Sequence, residues 1–580
     1  MIYLKREADK IFFKNHIKRN DECFDENAKM PGSFLGEGAY HTALKNRKVH
    51  DTRNCFYYAY DLLRRGGEGD ILRAHDCLYS VLKLQDINPN SKTYGIWPYF
   101  AEEPLYEMAA PDFNWADFNG KTMLQILCYH SEKLTEDIKF RLKDSIYHAC
   151  KAIIKRNVGP DYTNISVMGS YVTIIAGETF NWEDILAYGK ERLKKLYEYN
   201  KNMGNFSEFN SPTYTFTALF DLSDFMQIVK DETSKKLAEG LLDMIWETLA
   251  IHYHPTTGQL AGPHYRAYSL LLDNATKFSI EKGLDHNINL MGDINNLIEN
   301  NFAYDFSHKL ICPDKFIPYF KEKKGEIIYD QTFRPGTTAY TYMNESYTLG
   351  SLSLLVAWNQ HRNVLGYFGT VKSPVAFNLK VLHDNYDYCS ALMGTVQDKN
   401  KVLTGVNFVT DFGDTHGVLD PVKNATISAE DLRLRYIFEG AVDNLEVEKI
   451  KENCYLIKQK EGNINIIIDF PYAIMDDFEI NSEFSIKDNE IYIDLILYKG
   501  ERIDINFAKI QKAVAFASLE IDTKEIKPEE TILSEENGRI KGDFYNLGVD
   551  LPVTPGTFGN YCVNRATKLF RNGKIYEPEF

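Results

Sequence analysis

The sequence of 580 residues lacks any hydrophobic run as long as the roughly 18 apolar residues that cross a membrane. Its amino-terminal segment, Met1 to Lys10, lacks the apolar core of a secretory signal peptide. The nine cysteines are scattered and include no Cys-x-x-Cys pair, which argues against a disulfide framework. We therefore expect a cytoplasmic protein with reduced thiols and no membrane partner.

Positive charge is also scarce. Lys and Arg number 66 against 82 Asp and Glu, which gives a formal net charge of −16. This average field would repel a nucleic acid, so we expect no nucleic-acid partner. An anionic oligosaccharide would need a local basic pocket to overcome the same field.

Three motifs of common enzymes are missing. The sequence has no Gly-x-x-x-x-Gly-Lys-Ser/Thr loop, no dinucleotide fingerprint after a strand and no Gly-x-Ser-x-Gly turn. Phosphoryl transfer, hydride transfer and serine hydrolysis are therefore disfavoured. What the chain does have is an aromatic content of 13%, with 37 Tyr, which suits β-structure or sugar stacking but also fits a biased genome.

Residues from about 50 to 300 show the apolar spacing of helices. Breaker residues separate eight candidates, which are Asp51–Arg65, Gly69–Leu84, Lys121–Leu134, Thr135–Arg156, Ile165–Ala176, Trp182–Asn200, Tyr214–Lys230 and Asp231–Tyr253. Serial helical hairpins of this size predict an N-terminal (α/α) toroid over residues 1–310. A curved open array is the alternative.

After about residue 310 the hydrophobic period changes to two. Strands are predicted at Ile464–Phe470, Glu490–Tyr498, Ile503–Phe507 and Ala513–Ile521, with a hairpin turn at Asn572-Gly573. Residues 311–580 therefore predict a C-terminal antiparallel β-sandwich domain. The fold class expected for the whole chain is α+β and multidomain.

Two segments, Asn205–Tyr214 and Ala261–Tyr268, concentrate polar groups that core packing does not need. Their candidate catalytic residues are Asn210, Tyr214, His264, Tyr265 and Arg266. Amide, imidazole, phenol and guanidinium groups together can neutralise a carboxylate and move a proton beside it. A helix-entry loop with solvated His and Arg is the alternative interpretation.

A third polar segment carries Trp97, Tyr99, Asp112, Asn114 and Trp115. Flat rings stack on the apolar faces of sugars while carboxylates and amides bind the hydroxyls, so these five residues are candidate substrate-binding residues. A loop pinned by buried aromatic residues explains the same pattern equally well.

Further candidates are Asn164, Glu178 and Glu208, together with Tyr342 in the β half. Asn164 precedes an apolar run and could merely begin a helix. Tyr342 lies in the segment Arg334–Tyr347, and Trp358–Arg362 is a second polar segment of the β half. We expect no cofactor or metal: His383, Asp414 and His416 could hold a divalent cation, but Asp- and Gly-rich turns are the commoner explanation.

Asn114-Trp115 and the segment Thr337–Gly350 resemble motifs of polysaccharide lyases of the heparinase II/III-like type. Such enzymes join an α/α toroid to antiparallel β-sheets. One departure is that many of them carry an Asn-His pair in the toroid, whereas Ile165 follows Asn164 here.

The resemblance implies a lyase that cleaves a 4-linked uronic acid in an oligosaccharide or polysaccharide by β-elimination. Under this hypothesis Asn164, Asn210 and Arg266 neutralise the carboxylate. His264 and Tyr265 or Tyr214 transfer the protons, and Tyr342 reaches the site from the β half.

A different enzyme class fits the acidic net charge better. An inverting glycoside hydrolase on the same toroid needs two carboxyl groups, for which Glu178 and Glu208 are our choices among six acidic candidates that also include Glu102, Glu103, Asp112 and Asp117. A non-catalytic carbohydrate-binding or scaffold protein is the third hypothesis.

Overall fold

The computed structural model of the chain describes residues 4–38, 41–560 and 566–576. The chain forms two compact units. The helical unit comprises Met1–Asn202, Tyr214–Ile245 and Asn274–Cys312. The sheet unit comprises Met203–Thr213, Trp246–Asp273 and Pro313–Phe580. Across the described residues, no helix has both the length and the apolar character that spanning a membrane requires.

Eleven helices are present in the described residues. They are α1 (Glu7–Glu22), α2 (Thr52–Arg65), α3 (Glu68–Leu82), α4 (Trp115–His130), α5 (Glu136–Arg156), α6 (Thr163–Phe180), α7 (Glu183–Met203), α8 (Tyr214–Ile228), α9 (Glu232–His252), α10 (Asn274–Gly283) and α11 (Ile294–Glu299). All eight predicted helices are confirmed with shifted ends, and α4 begins at Trp115, before the predicted Lys121.

Side chains fix several of these helix ends. The carboxylate of Asp51 accepts a hydrogen bond from the Asn54 amide at the start of α2, and Thr135 does the same for Ile138 in α5. At the other end of α5, Asn157 adopts a left-handed conformation, with φ of 46°. Capping of this kind satisfies backbone groups that the helix leaves without partners.

Helices of the helical unit pack as neighbouring hairpins. Helices α2, α4, α6 and α8 lie side by side in that order, while α3 contacts α2 and α5, and α5 contacts α4 and α6. Helix α6 is buried from Thr163 to Gly177, as expected for a helix with neighbours on several sides. The helical N-terminal part is thus confirmed, and the closed toroid stays a prediction.

The first strands are short. They are β1 (Phe24–Asp25), β2 (Met30–Pro31), β3 (Ser33–Leu35), β4 (Arg47–Val49), β5 (Tyr253–His254) and β6 (Gln259–Leu260), paired as three small hairpins. The next ten are β7 (Ile327–Arg334), β8 (Thr337–Met343), β9 (Tyr347–Leu352), β10 (Leu354–Val356), β11 (Val364–Gly369), β12 (Pro374–His383), β13 (Tyr386–Asp387), β14 (Ala391–Asp398), β15 (Lys401–Phe408) and β16 (Thr426–Gly440).

The remaining strands are β17 (Leu445–Lys451), β18 (Cys454–Gln459), β19 (Asn465–Met475), β20 (Asn481–Lys487), β21 (Glu490–Asn506), β22 (Ala513–Asp522), β23 (Ile532–Glu536), β24 (Arg539–Phe544), β25 (Leu547–Pro552), β26 (Lys568–Arg571) and β27 (Lys574–Ile575). The predicted segments Glu490–Tyr498 and Ile503–Phe507 belong to one strand, β21. Its register against β16 shifts twice, so one long strand shows an interrupted pattern.

Three large antiparallel sheets and the small β5–β6 hairpin form the sheet unit. The nine-stranded sheet has the order β20-β21-β16-β12-β11-β9-β8-β7, with β13 beside β12, and the seven-stranded sheet has the order β10-β14-β15-β22-β19-β18-β17. One core joins these two sheets, with Phe377 and Tyr436 from the first and Val406 and Ile468 from the second. The C-terminal antiparallel sheet region is therefore confirmed.

The third sheet, β23-β24-β25-β26-β27, covers the other face of the seven-stranded sheet. Leu403 and Phe516 of the seven-stranded sheet share a second core with Val549 and Leu551 of β25. Strand β22, buried from Ala513 to Ile521, therefore has apolar neighbours on both faces. The predicted Asn572-Gly573 turn, with positive φ at both residues, joins β26 to β27.

Gly350 of β9 lies directly beneath the segment 261–267. A Cβ atom there would overlap the carbonyl oxygen of Gly262 and the nitrogen of Pro263. The overlapped atoms are backbone atoms, which cannot rotate out of the way as a flexible side chain would. A glycine at this position lets the segment lie flat on the sheet.

We expect Gly350→Ala to lower the free energy of unfolding by about 1–3 kcal/mol, because the added methyl group overpacks a fixed backbone contact. Thermal unfolding of the purified variant measures this. Gly69→Ala in α3, where the Cβ atom would meet nothing within 4 Å, is the matched control and should be neutral or slightly stabilising. Equal midpoints for Gly350→Ala and the unsubstituted protein would contradict the expectation.

Candidate functional site

The segments 205–211 and 261–267 lie together in the sheet unit. Asn210, in a left-handed conformation with φ of 45°, donates its side-chain amide to the carbonyl oxygens of Ala261 at 2.6 Å and Pro263 at 3.2 Å. The next residue, Ser211, donates to the carbonyl oxygen of Arg266. Asn210 thus fixes the backbone conformation of the segment that carries the other candidates.

Phe209 supplies the apolar part of the same attachment. It is fully buried, packs 5.0 Å from the ring of Phe333 and accepts a hydrogen bond at its carbonyl from the Tyr265 amide, at 3.1 Å. Burying such a ring contributes roughly 2–3 kcal/mol, which offsets part of the entropy lost when the loop is ordered. The polar and apolar parts of the 205–211 segment therefore act in the same direction.

Hydrogen bonds to backbone groups of the second segment, one of them from the Thr341 hydroxyl, hold this segment in place. Thr341 of β8 donates to the Gly262 carbonyl at 2.9 Å, and the amide of Arg362 donates to the His264 carbonyl at 2.9 Å. The Ala267 amide donates to the Gln360 carbonyl at 2.8 Å. These bonds bring Tyr265 and Arg266 next to the loop that connects β10 to β11.

His264 points into the core. Its side chain is fully buried, and Nε2 lies 3.3 Å from the hydroxyl oxygen of Tyr367, which donates to the Leu270 carbonyl. Burial, together with the nearby charge of Arg362, lowers the pKa of His264 to about 3. The imidazole is therefore neutral and contacts protein atoms on all sides.

Tyr265 points outward, between Arg334 and His361. The guanidinium of Arg334 donates a hydrogen bond to the Tyr265 hydroxyl, and its central carbon lies 5.0 Å from the centre of the ring. The ring of His361 lies 4.9 Å from that of Tyr265. Burial raises the pKa of Tyr265, and the charge of Arg334 opposes this rise.

Arg266 is engaged by an ion pair. It donates to the carboxylate of Glu208 at 2.6 Å and to the side chain of Gln360 at 2.8 Å, and it lies over the ring of Trp358. The Glu208 side chain is only 4% exposed. A buried, paired carboxylate of this kind holds a loop in place rather than reacting with water.

A cavity of about 280 Å³ opens beside Tyr265. Its lining residues are Tyr265, Arg334, Pro335, Gly336, Thr337, Leu354, Leu355, Val356, Trp358, His361, Cys389, Phe412, His416, Gly417, Val418 and Phe558. None of these described lining residues is an aspartate or glutamate. The cavity therefore combines one guanidinium with a phenol, two imidazoles and an indole, on walls that are otherwise mostly apolar.

His361 and Trp358 each have a polar side-chain atom without a hydrogen-bond partner in the described part of the chain. Nδ1 of His361 donates to the Val356 carbonyl at 3.0 Å, so Nε2 carries the lone pair. Burial lowers the pKa of His361 to about 3, which keeps the ring neutral. Within the described part of the chain, neither Nε2 of His361 nor Nε1 of Trp358 has a hydrogen-bond partner. Two residues of the cavity lining thus hold an acceptor and a donor without a partner, both at buried atoms.

The predicted aromatic residues of the helical unit are packing residues in this structure. Trp97 is fully buried and donates its indole nitrogen to the Val81 carbonyl. Trp115 is 1% exposed, donates to Thr52, and stacks on Tyr99 at 4.3 Å. A ring without exposed surface cannot stack on a sugar, so Trp97 and Trp115 pack the interior of the helical unit.

The polar candidates of the same unit mostly bind protein groups. Asn114 donates to the Tyr162 hydroxyl and accepts from Arg156, and Asp112 accepts from the Asn114 amide. Glu178 accepts from the amides of Lys230 and Asp231, at the start of α9. Glu178 therefore fixes a helix end.

Three predicted catalytic residues do not line the cavity. Asn164 is buried in the first turn of α6, and Tyr214 is half-buried at the start of α8, both in the helical unit. Tyr342 belongs to the sheet unit but is 3% exposed and donates to Glu326 at 2.9 Å.

The residues named for a divalent cation bind other groups. His383 contacts Asp414 at 2.8 Å and the Ser428 carbonyl at 3.1 Å, so both of its ring nitrogens are engaged. His416 accepts from the amides of Val418 and Leu419. The pKa of His383 is raised: burial lowers it, but the hydrogen bond and charge of Asp414, the Ser428 carbonyl and the charge of Asp384 together outweigh burial.

A different cluster has the spacing of metal ligands. His16, Asp61 and Asp305 of the helical unit place their ligand atoms within 4.8 Å of one another. The buried guanidinium of Arg64 already lies 2.8 Å from Asp61 and 2.6 Å from Asp305. A second cation would face this charge, so Arg64 occupies the role that a metal ion would have.

Sequence reasoning missed Arg334, Trp358 and His361 as site residues, although it noted their two segments. Arg334 ends β7, a mostly half-buried strand, and Trp358 and His361 follow the buried strand β10, where a polar residue is conspicuous. That position is the only signal that could have found them. Their convergence with Tyr265 depends on strand order, which local sequence does not reveal.

Comparison with known proteins gives two kinds of match. Solved structures include a heparinase III with a TM-score of 0.36 and 10% identity, covering 100% of this chain and 91% of the other. They also include a chondroitinase AC lyase with a TM-score of 0.37 and 9% identity, covering 99% of this chain and 91% of the other. At these TM-scores we base no conclusion on either likeness.

No curated protein matches the sequence. A family model described as Domain of unknown function (DUF8769) matches residues 10–302. Because the match spans half of the chain, the protein belongs to this family.

Proposed function

We propose that the protein is a polysaccharide lyase that cleaves a 4-linked uronic acid by β-elimination, with its chemistry at the cavity beside Tyr265. One observation carries the proposal. The Tyr265 hydroxyl is held by Arg334 and flanked by the neutral ring of His361, in a cavity whose described lining includes no carboxylate. A phenol next to a fixed cation suits proton transfer beside an anionic group.

Charge selects the substrate. Arg334 is the cation in the cavity lining. No described lining residue is a carboxylate that would oppose its positive charge. A uronate carboxylate placed there would be stabilised by Arg334, whose fork matches carboxylate geometry. This local positive charge attracts an anionic sugar, whereas the net charge of −16 repels it.

The elimination moves two electron pairs. Tyr265, as phenolate, takes the proton from C5 of the uronate, and the C5–H electrons form the C4–C5 double bond. The C4–O bond breaks, its electrons pass to the leaving oxygen, and Tyr265 returns the proton to that oxygen. Neutralising the carboxylate lowers the cost of charge at C5, and Arg334 also stabilises the phenolate.

His361 and Trp358 orient the sugar in this proposal. Nε2 of His361 accepts from a sugar hydroxyl, and Nε1 of Trp358 donates to a ring or hydroxyl oxygen. Both groups are rigid, because His361 is fixed by the Val356 carbonyl and packs edge-to-face against Trp358 at 5.1 Å. Fixed partners of this kind keep the reacting atoms close and aligned.

The other predicted residues of the sheet unit act through Tyr265. Asn210 fixes the backbone before Tyr265. The two residues that flank Tyr265 are held in turn, His264 by Tyr367 and Arg266 by Glu208. They are positioning residues in this proposal, and Arg334 takes the carboxylate in place of Arg266. Asn164, predicted to neutralise the carboxylate, and Tyr214, predicted to transfer a proton, belong to the helical unit and stay predictions.

The hydrolase alternative needs two carboxyl groups with water between them. Glu208 is bonded to Arg266 and Glu178 to two backbone amides, so both preferred carboxylates are occupied. Neither lines the cavity. The lyase therefore accounts better for the groups that converge at the cavity.

We expect ultraviolet absorbance to rise when the protein is incubated with uronate-containing oligosaccharides, because each cleavage creates a conjugated double bond. Tyr265→Phe should lower kcat by about 10²–10⁴-fold, since it removes the group that moves the proton. Tyr386→Phe, at a tyrosine 68% exposed, is the matched control and should retain full activity. New reducing ends without the absorbance would indicate hydrolysis and refute the lyase.

Replacing the cation tests its role separately. We expect Arg334→Gln to lower kcat by about 10²–10³-fold, because the variant loses the charge that stabilises the developing anion. Arg334→Lys should recover part of this loss, since a point charge remains while the fork is lost. Steady-state kinetics of both variants measure the effect, and an unchanged kcat in Arg334→Gln would remove Arg334 from the mechanism.

The pH dependence follows from the two pKa shifts. His361, whose pKa is about 3, stays neutral above pH 5, so its protonation should cause no loss of activity near pH 6.5. Tyr265, whose pKa is raised, must lose its proton to act as the base, so kcat/KM should rise toward alkaline pH. A falling limb near pH 6.5 that disappears in His361→Gln would contradict this assignment.

A further inference from the structure

The helical unit contains a cavity that the proposed chemistry does not use. It has a volume of about 350 Å³ and lies between α1, α2, α4, α8 and the segment 305–308. Aromatic and polar residues alternate around it, among them Tyr57, Phe118, Gln125 and Phe220. Such a mixture of flat rings and planar polar groups is typical of small-molecule sites.

Two buried side chains of the cavity lining have polar atoms without a partner in the described chain. The hydroxyl of Tyr60, a residue 5% exposed, has no hydrogen bond, and neither does Oδ2 of the fully buried Asp221. Unsatisfied polar atoms at buried positions are costly unless something binds them. Asp221 requires a donor, and the phenol of Tyr60 can both donate and accept.

The charges around the cavity exclude an anionic ligand. Lys121 is bound by Asp221 at 2.5 Å, and His308 contacts Asp224 at 2.9 Å. Arg64 lies behind the cavity on Asp61 and Asp305, both of which line it. Lys121 and Arg64 are thus each matched by a carboxylate, so a uronate would meet repulsion with no free positive charge among these groups.

A metal ion is also disfavoured here. Asp61 and Asp305 share Arg64, and the second oxygen of each is bonded to His16 or Ser307. Every oxygen of this pair already accepts a hydrogen bond, and the charge of Arg64 beside both carboxylates would repel a second cation. A ligand that offers hydroxyl groups and no charge meets none of these objections.

We propose that this cavity binds a neutral sugar residue. A sugar hydroxyl donates to Oδ2 of Asp221 and another accepts from Tyr60, while the apolar face of the ring packs against an aromatic side chain. The site differs in charge preference from the cavity beside Tyr265 and does not depend on the lyase chemistry. It would recognise an uncharged unit of a saccharide.

Binding to the full-length protein tests the proposal directly. Isothermal titration and saturation-transfer NMR would use D-glucose, D-galactose, D-mannose and N-acetyl-D-glucosamine as probes, at up to about 10 mM, with D-glucuronate as the anionic counterpart. We expect at least one neutral sugar to bind and D-glucuronate not to displace it. Failure of all four neutral sugars to bind would overturn the proposal.

Variants locate the binding. Tyr60→Phe should weaken it about fivefold through the loss of one hydrogen bond, whereas Tyr58→Phe, in the same helix but bonded to Asp21, should not change it. Asn20→Ala removes an amide from the lining and provides a second variant should Tyr60→Phe fold poorly. Binding unchanged in both lining variants, or lost in Tyr265→Phe instead, would overturn the assignment.

Discussion

The attachment of the segment 261–267 to the nine-stranded sheet is the constraint on which the proposed site depends. Asn210 donates hydrogen bonds to two carbonyl groups of this segment. Gly350 has no side chain and so leaves the space that the segment occupies. Because these contacts involve backbone atoms, the segment has one conformation rather than several. Tyr265 is thereby presented to the cavity while its neighbour His264 faces the core.

The two cavities show how one acidic chain can hold opposite local charges. Beside Tyr265, Glu208 forms an ion pair with Arg266 and does not line the cavity. The described lining therefore has Arg334 without an opposing carboxylate. Between the helices each cation is matched by its own carboxylate, as Lys121 is by Asp221. Net charge therefore says little about a ligand, because pairing decides which charges remain available.

Much of the fold could be predicted from the sequence, because helices and strands follow the period of their apolar residues. That signal located every helix from α2 to α9 and the strands around Ile468 and Phe516. The site could be predicted only in part. Polar density identified Tyr265 and Arg266, but adjacent residues point in opposite directions, and the sequence does not say that His264 is the buried one. His361 approaches Tyr265 through strand pairing, which no local pattern encodes.

The position of the five-stranded sheet has a consequence for synthesis on the ribosome. All its strands follow β22 in the chain, yet they cover apolar residues such as Phe516 and Leu403. While the chain is being made, that face is uncovered until the last strands emerge. An exposed sheet face rich in Val, Leu and Phe attracts other unfinished chains. A chain that stops before Ile532 would therefore tend to aggregate, although both of its larger sheets could be complete.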